Sequence, residues 1–178
     1  MKAQNRLARR RPARSGQALL EFTLLGIPML CITTSIMCMA LDAWQLWSLS
    51  YATDSTARYI SMRGATCAEN GNSCTITTGQ VAAYFENQAS ALSSGSVNVT
   101  LADGSGTTSC NPVSTCASGA AQFPASSANS VGSDITVKAT YQLTNPIFMI
   151  WGSINTIWGG VNGNNYSVRA KSRVRIQF

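Results

Sequence analysis

Few side chains in this sequence have chemistry available to them, and the cysteines come first. Cys67, Cys74, Cys110 and Cys116 lie in a polar part of the chain, where an oxidising compartment would join them as disulfides. Their short spacings favour Cys67 with Cys74 and Cys110 with Cys116. Four cysteines allow three connectivities, and spacing alone does not select among them. A structural zinc site is the alternative, but the spacings do not match the usual paired knuckles. Cys31 and Cys38 differ: they lie seven residues apart in an apolar run and serve there as small apolar groups on one helical face. The chain has no histidine, so it lacks the commonest general base near neutral pH and the commonest zinc ligand. An enzyme would need a carboxylate pair or a Ser-Lys arrangement. The few acids are instead scattered, and Gly104 to Gly106 does not lead from a strand into a helix as a phosphate loop must. No catalytic group, cofactor or metal is expected.

The remaining chemistry sits at the head of an apolar run. Phe22 to Leu41 is twenty residues without a charge, bracketed by Glu21 and Asp42. As a helix rising about 1.5 Å per residue it covers roughly 30 Å, the thickness of a bilayer's hydrocarbon core. Before it, Lys2, Arg6, Arg9, Arg10, Arg11 and Arg14 precede Gly16 with no acid among them. Past Gly16, seven basic residues balance seven acids, so the formal net charge of +6 resides in the N-terminal arm. Two consequences follow. The body of the chain has no electrostatic case for binding nucleic acid. The basic arm should stay in the cytoplasm, with everything beyond Asp42 on the far side of the membrane. An ordinary signal peptide, with Leu24 to Ala40 as its apolar region, is the plainer reading. It leaves Glu21 unexplained, because a carboxylate at the edge of an apolar span is costly and usually partnered.

The stretch Ser15-Gly16-Gln17-Ala18-Leu19-Leu20-Glu21-Phe22, following an arginine-rich arm, resembles the class III signal of type IV pilins and their relatives. Within that group, Arg9 to Leu30, with Pro28 in the span, and the later Ala57-Arg58-Tyr59 and Arg63-Gly64-Ala65 resemble the TadE-like proteins of tight-adherence (Flp-type) pili. The resemblance covers about the first 65 residues and, more loosely, the C-terminal strands. It implies cleavage between Gly16 and Gln17 by a membrane-bound prepilin peptidase, where glycine offers no side chain to obstruct the enzyme. It implies that Glu21 and Phe22 set helix register in an assembly, Glu21 neutralising the new ammonium of a neighbouring Gln17. The implied partners are the peptidase, other pilin or pseudopilin subunits, the assembly platform and the inner membrane. Gln17 stands where many major pilins place Phe, and the greater length favours a minor, pseudopilin-like component over a filament's main subunit. An uncleaved signal-anchored binding module in the periplasm is the competing expectation.

The elements that must carry these groups read as an α+β arrangement. Residues 1–16 form the leader, 17–42 the transmembrane helix and 43–178 a small periplasmic domain. Trp44, Trp47, Tyr51 and Tyr59 keep near-helical spacing to Met62, so one helix of about 70 Å is expected from Gln17. Trp44 and Trp47 suit either the core or the membrane interface. Thr78 is a candidate cap for a second helix, Gly79 to Leu92, with Val81, Tyr84, Phe85 and Leu92 on its apolar stripe. Alternation predicts strands at Val97 to Leu101, Ile135 to Leu143 and Tyr166 to Phe178, giving an antiparallel sheet of three to four strands. The Gly- and Ser-rich stretch 102–133 is expected to be a long exposed loop, and Asn145 to Gly163 an apolar flap or short helix. Arg169, Lys171, Arg173 and Arg175 fall on one face of the last strand, as a docking surface or a solvated sheet face.

Overall fold

A computed structural model describes residues 15–64, 66–67, 74–143 and 166–177. The chain divides into two compact units, residues 1–38 and 39–178. Helix α1 spans Ser15–Ser61 and carries Pro28 within it. Proline cannot donate the usual backbone bond, a defect that long apolar helices tolerate. Four hydroxyls of its apolar half are satisfied locally. Thr23 Oγ1 donates to the carbonyl of Leu20 at 3.0 Å, Thr33 Oγ1 to that of Met29 at 3.0 Å, Thr34 Oγ1 to that of Leu30 at 2.8 Å and Ser35 Oγ to that of Cys31 at 2.7 Å.

In the second unit the helix turns one face into a core. Leu49, Ala52, Thr53, Thr56, Ala57 and Ile60 are buried, at the three- and four-residue spacing of one helical stripe. Helix α2, Thr78–Gln88, adds Val81, Ala82 and the fully buried Phe85. Its cap is Thr77, one residue earlier than expected. Thr77 Oγ1 accepts from Gln80 N at 3.2 Å while Gln80 Oε1 accepts from Thr77 N at 3.1 Å, a reciprocal box that Thr78 is out of position to make. The helix also stops short of Leu92, which reaches the core from the following turn. Tyr59 and Tyr84 stack with ring centres 4.1 Å apart, and the Arg63 guanidinium lies 3.7 Å over Tyr59.

The sheet is four-stranded and antiparallel: β1 Val97–Ala102, β2 Thr107–Cys110, β3 Asp134–Leu143 and β4 Tyr166–Arg175, in the order β2-β1-β3-β4. Val99 faces Ala139, which faces Ala170; Thr100 faces Lys138, which faces Lys171. The first row and its neighbours Val97, Leu101, Ile135, Val137 and Tyr141 point inward to the core. The second row lies on the outer face.

The expectation of an exposed loop over 102–133 is corrected. That stretch contains β2 and a short 3₁₀ turn at Val113–Cys116, and it buries Cys110, Val113, Phe123 and Ala128. Asp103 organises it. One carboxylate oxygen, Oδ1, accepts from Ser105 N at 2.9 Å, Ser105 Oγ at 2.7 Å and Gly106 N at 2.8 Å, while Oδ2 accepts from Ala125 N at 2.9 Å. The β1–β2 turn and a segment twenty-two residues downstream thus hang on one side chain. The expected flap at 145–163 and the leader residues 1–14 lie outside the described residues.

Candidate functional site

The sequence points to the junction at Gly16, and the structure places it in the first turn of α1. Gly16 is exposed, and a Cβ built there meets nothing within 4 Å. Gly79 and Gly119 contrast with it: an added Cβ would stand 2.7 Å from the Ala117 carbonyl oxygen in the first and 2.2 Å from Thr78 Oγ1 in the second. Those two glycines are required by packing. Among the described residues, none stands close enough to require a glycine at position 16. Gln17 follows in the same helix.

Glu21 is exposed on the next turn, and Phe22 beside it is 76% exposed. Leu24, Leu25, Ile27, Met29 and Leu30 continue the exposed apolar surface. A soluble helix would bury such a stripe; this one is apolar around its circumference, the pattern of a helix that meets lipid or other helices. The helix is long and apolar enough to cross a membrane.

Trp44 and Trp47 are 60% and 68% exposed, which removes them from the core. They form a ladder with Tyr51, with ring centres 6.5 Å and 6.3 Å apart.

Both cysteine pairs are joined as disulfides, Cys67–Cys74 and Cys110–Cys116, across sequence separations of seven and six. Their sulfurs are therefore unavailable to a metal, and of the three connectivities open to the sequence the local one is adopted. Cys31 and Cys38 are free thiols, half-buried on α1.

Three acids of the domain, Asp54, Asp103 and Asp134, are engaged in structure. Asp54 pairs with Arg58 at 2.9 Å and accepts from Ser172 Oγ at 3.1 Å, tying α1 to β4. Partial burial pushes the Asp103 carboxyl up, but its bonds from Ala125, Ser105 and Gly106 outweigh that and hold it below its ordinary 3.8. Asp134 is held low chiefly by the Arg173 hydrogen bond, with Arg175 adding to it. Sequence reasoning missed the part played by Asp103. The available signal was Asp103-Gly104-Ser105-Gly106, a turn-forming run in which an aspartate bonds the backbone two and three residues on.

No protein-family model, no curated protein and no solved structure matches this chain.

Proposed function

We propose that this chain is a TadE-like pseudopilin, processed between Gly16 and Gln17 by a prepilin peptidase and used in the assembly of a tight-adherence pilus. The observation that carries the reading is the head of α1: a glycine that the described chain does not need and a carboxylate placed at the edge of an exposed, uncharged helix. Cleavage supplies a reason for the first. Pairing with the ammonium of a neighbouring Gln17 is the role that the resemblance implies for the second, setting the register of packed helices in an assembly. On this reading residues 22–41 span the inner membrane, with the N-terminus cytoplasmic and the disulfide-braced domain periplasmic, where disulfides persist. Its partners are the peptidase, other pilin-like subunits and the assembly platform. Deletion of the gene should abolish surface pili in the sheared fraction of a piliated host, with recovery on complementation. Unchanged piliation in the deletion strain would overturn the reading.

A further inference from the structure

The outer face of β3 and β4 carries five cations, Lys138, Arg169, Lys171, Arg173 and Arg175, and one acid among its described residues, Asp134. These are not equivalent. Asp134 engages Arg173 and Arg175 at the end of the sheet where Asp134 faces Arg175. Towards the other end, Lys138 and Lys171 are direct register partners, with Arg169 two residues further along the same face. Like charges placed opposite one another cost stability, and none of these three is in an ion pair among the described residues. The fold keeps a cationic cluster at one end of a face and offsets part of the charge at the other with Asp134.

Two contacts show which end that is. Ser172 bonds to Asp54, and Gln177 N donates to the Ser61 carbonyl at 3.2 Å. Strand β4 and helix residues 39–61 therefore advance in the same direction, and the cluster lies at the end of the domain nearer Leu41, where the uncharged run stops. Scaled between these contacts, Arg169 stands about 13 Å beyond Leu41 along the helix, with Lys171 and Lys138 about 4 Å further. On the reading that a membrane span ends at Leu41, an arginine side chain covers roughly half that distance and the headgroup layer the rest, with the lysines within about one Debye length of it. Trp44 and Trp47 stand at a similar or lower level. At about 100° per residue they lie on the face of the helix opposite Leu49, Ala52 and Thr56, away from the sheet. Side chains of the kind that suit a membrane interface thus flank the end of the domain nearer Leu41 on both sides.

We infer that Arg169, with Lys171 and Lys138 behind it, binds the phosphate of anionic phospholipid headgroups on the leaflet that the domain faces. The inference rests on the reading that residues 22–41 span the membrane. It gives the cluster an occupant of opposite charge, held at high local concentration by the chain's own anchor.

The test uses the full chain, isotope-labelled, in dodecyl maltoside micelles, with the Arg169 Nε–H signal and the Lys138 and Lys171 amides followed by NMR. Short-chain phosphatidylglycerol should shift these signals saturably, while short-chain phosphatidylcholine and inorganic phosphate at equal concentration should not. Arg169→Gln should weaken the response roughly five-fold, and K138Q/R169Q/K171Q roughly ten-fold or more. Arg175→Gln, at the end where Asp134 pairs with the arginines, should leave it unchanged. Equal response to phosphatidylglycerol and phosphatidylcholine overturns the inference, as does an equal response to inorganic phosphate. A response to an oligoglutamate peptide but not to phosphatidylglycerol overturns it in favour of an acidic protein partner. A lipid-soluble spin label in the same samples checks the anchor: broadening of residues 22–41 without a headgroup response sinks this inference alone, whereas no broadening sinks the spanning reading and this inference with it.

Discussion

Replacing Asp103 by Ala removes four hydrogen bonds at once, and the structure lets the cost be apportioned. The amides of Ser105 and Gly106 are exposed and will be taken over by water, so each loses only the net value of a hydrogen bond. The Ala125 amide is part-buried and would lose its acceptor, a larger penalty. Together these give about 2–3 kcal/mol of destabilisation. Asp103→Asn should cost less, about 1–2 kcal/mol, because its remaining carbonyl oxygen can still serve the turn while its amide cannot accept from Ala125. The assay is urea unfolding of the full chain in dodecyl maltoside, followed by circular dichroism. The Ala variant should lower the midpoint by about 1 M for an m value near 2 kcal/mol/M. The pH dependence has a definite sign. The folded carboxyl titrates below its ordinary 3.8, so its contribution is present above that value and is lost as pH falls through the folded pKa. The gap between wild type and Asp103→Ala should stay constant from neutral pH to about 4 and narrow below it. Asp134 has a lowered pKa too, but it is common to both proteins and cancels in the difference. A gap that persists undiminished through the acid range, or none at pH 7, would refute the assignment of the loop's order to this carboxylate.

Three other outcomes are expected. Phe85→Ala empties a fully buried site and should cost about 3–5 kcal/mol in the same unfolding assay; a loss under 1 kcal/mol would show that the site collapses or was never closed. Replacing Cys110 and Cys116 together by Ala opens a short loop and should cost about 2 kcal/mol, read as a lower urea midpoint that reducing agent does not lower further at that bridge. Glu21→Ala should permit processing yet reduce assembled pili, measured as the ratio of mature subunit to sheared filament; normal piliation would count against the pairing of Glu21 with a neighbouring ammonium.

The sequence made some of these features readable and hid others, for physical reasons. Helix α1 and strands β1, β3 and β4 were legible because each buries or exposes apolar groups at a regular period, as in Ile135, Val137, Ala139 and Tyr141. Strand β2 was not, because Thr107-Thr108-Ser109-Cys110 shows no apolar alternation and is held by its pairing with β1 and by the Asp103 turn. The end of α2 misled for the opposite reason. Leu92 continues the apolar stripe and is buried, but it gets there from a turn whose amide bonds to the Ala89 carbonyl. The cap was decidable in principle, since only Thr77 stands three residues before Gln80. Gly16 and Glu21 were singled out because the stretch around them, joined to the basic arm and the uncharged run, resembles a class III signal. The structure adds only that a Cβ at Gly16 would meet none of the described residues, and whether a peptidase cuts there is the question.

That question is answered most directly by the intact mass of the chain recovered from cells that carry a prepilin peptidase and from cells that lack it. The account predicts a species beginning at Gln17 in the first and a species retaining the arginine-rich arm in the second. Retention of residues 1–16 in both, or a cut after Ala40 in either, would contradict it.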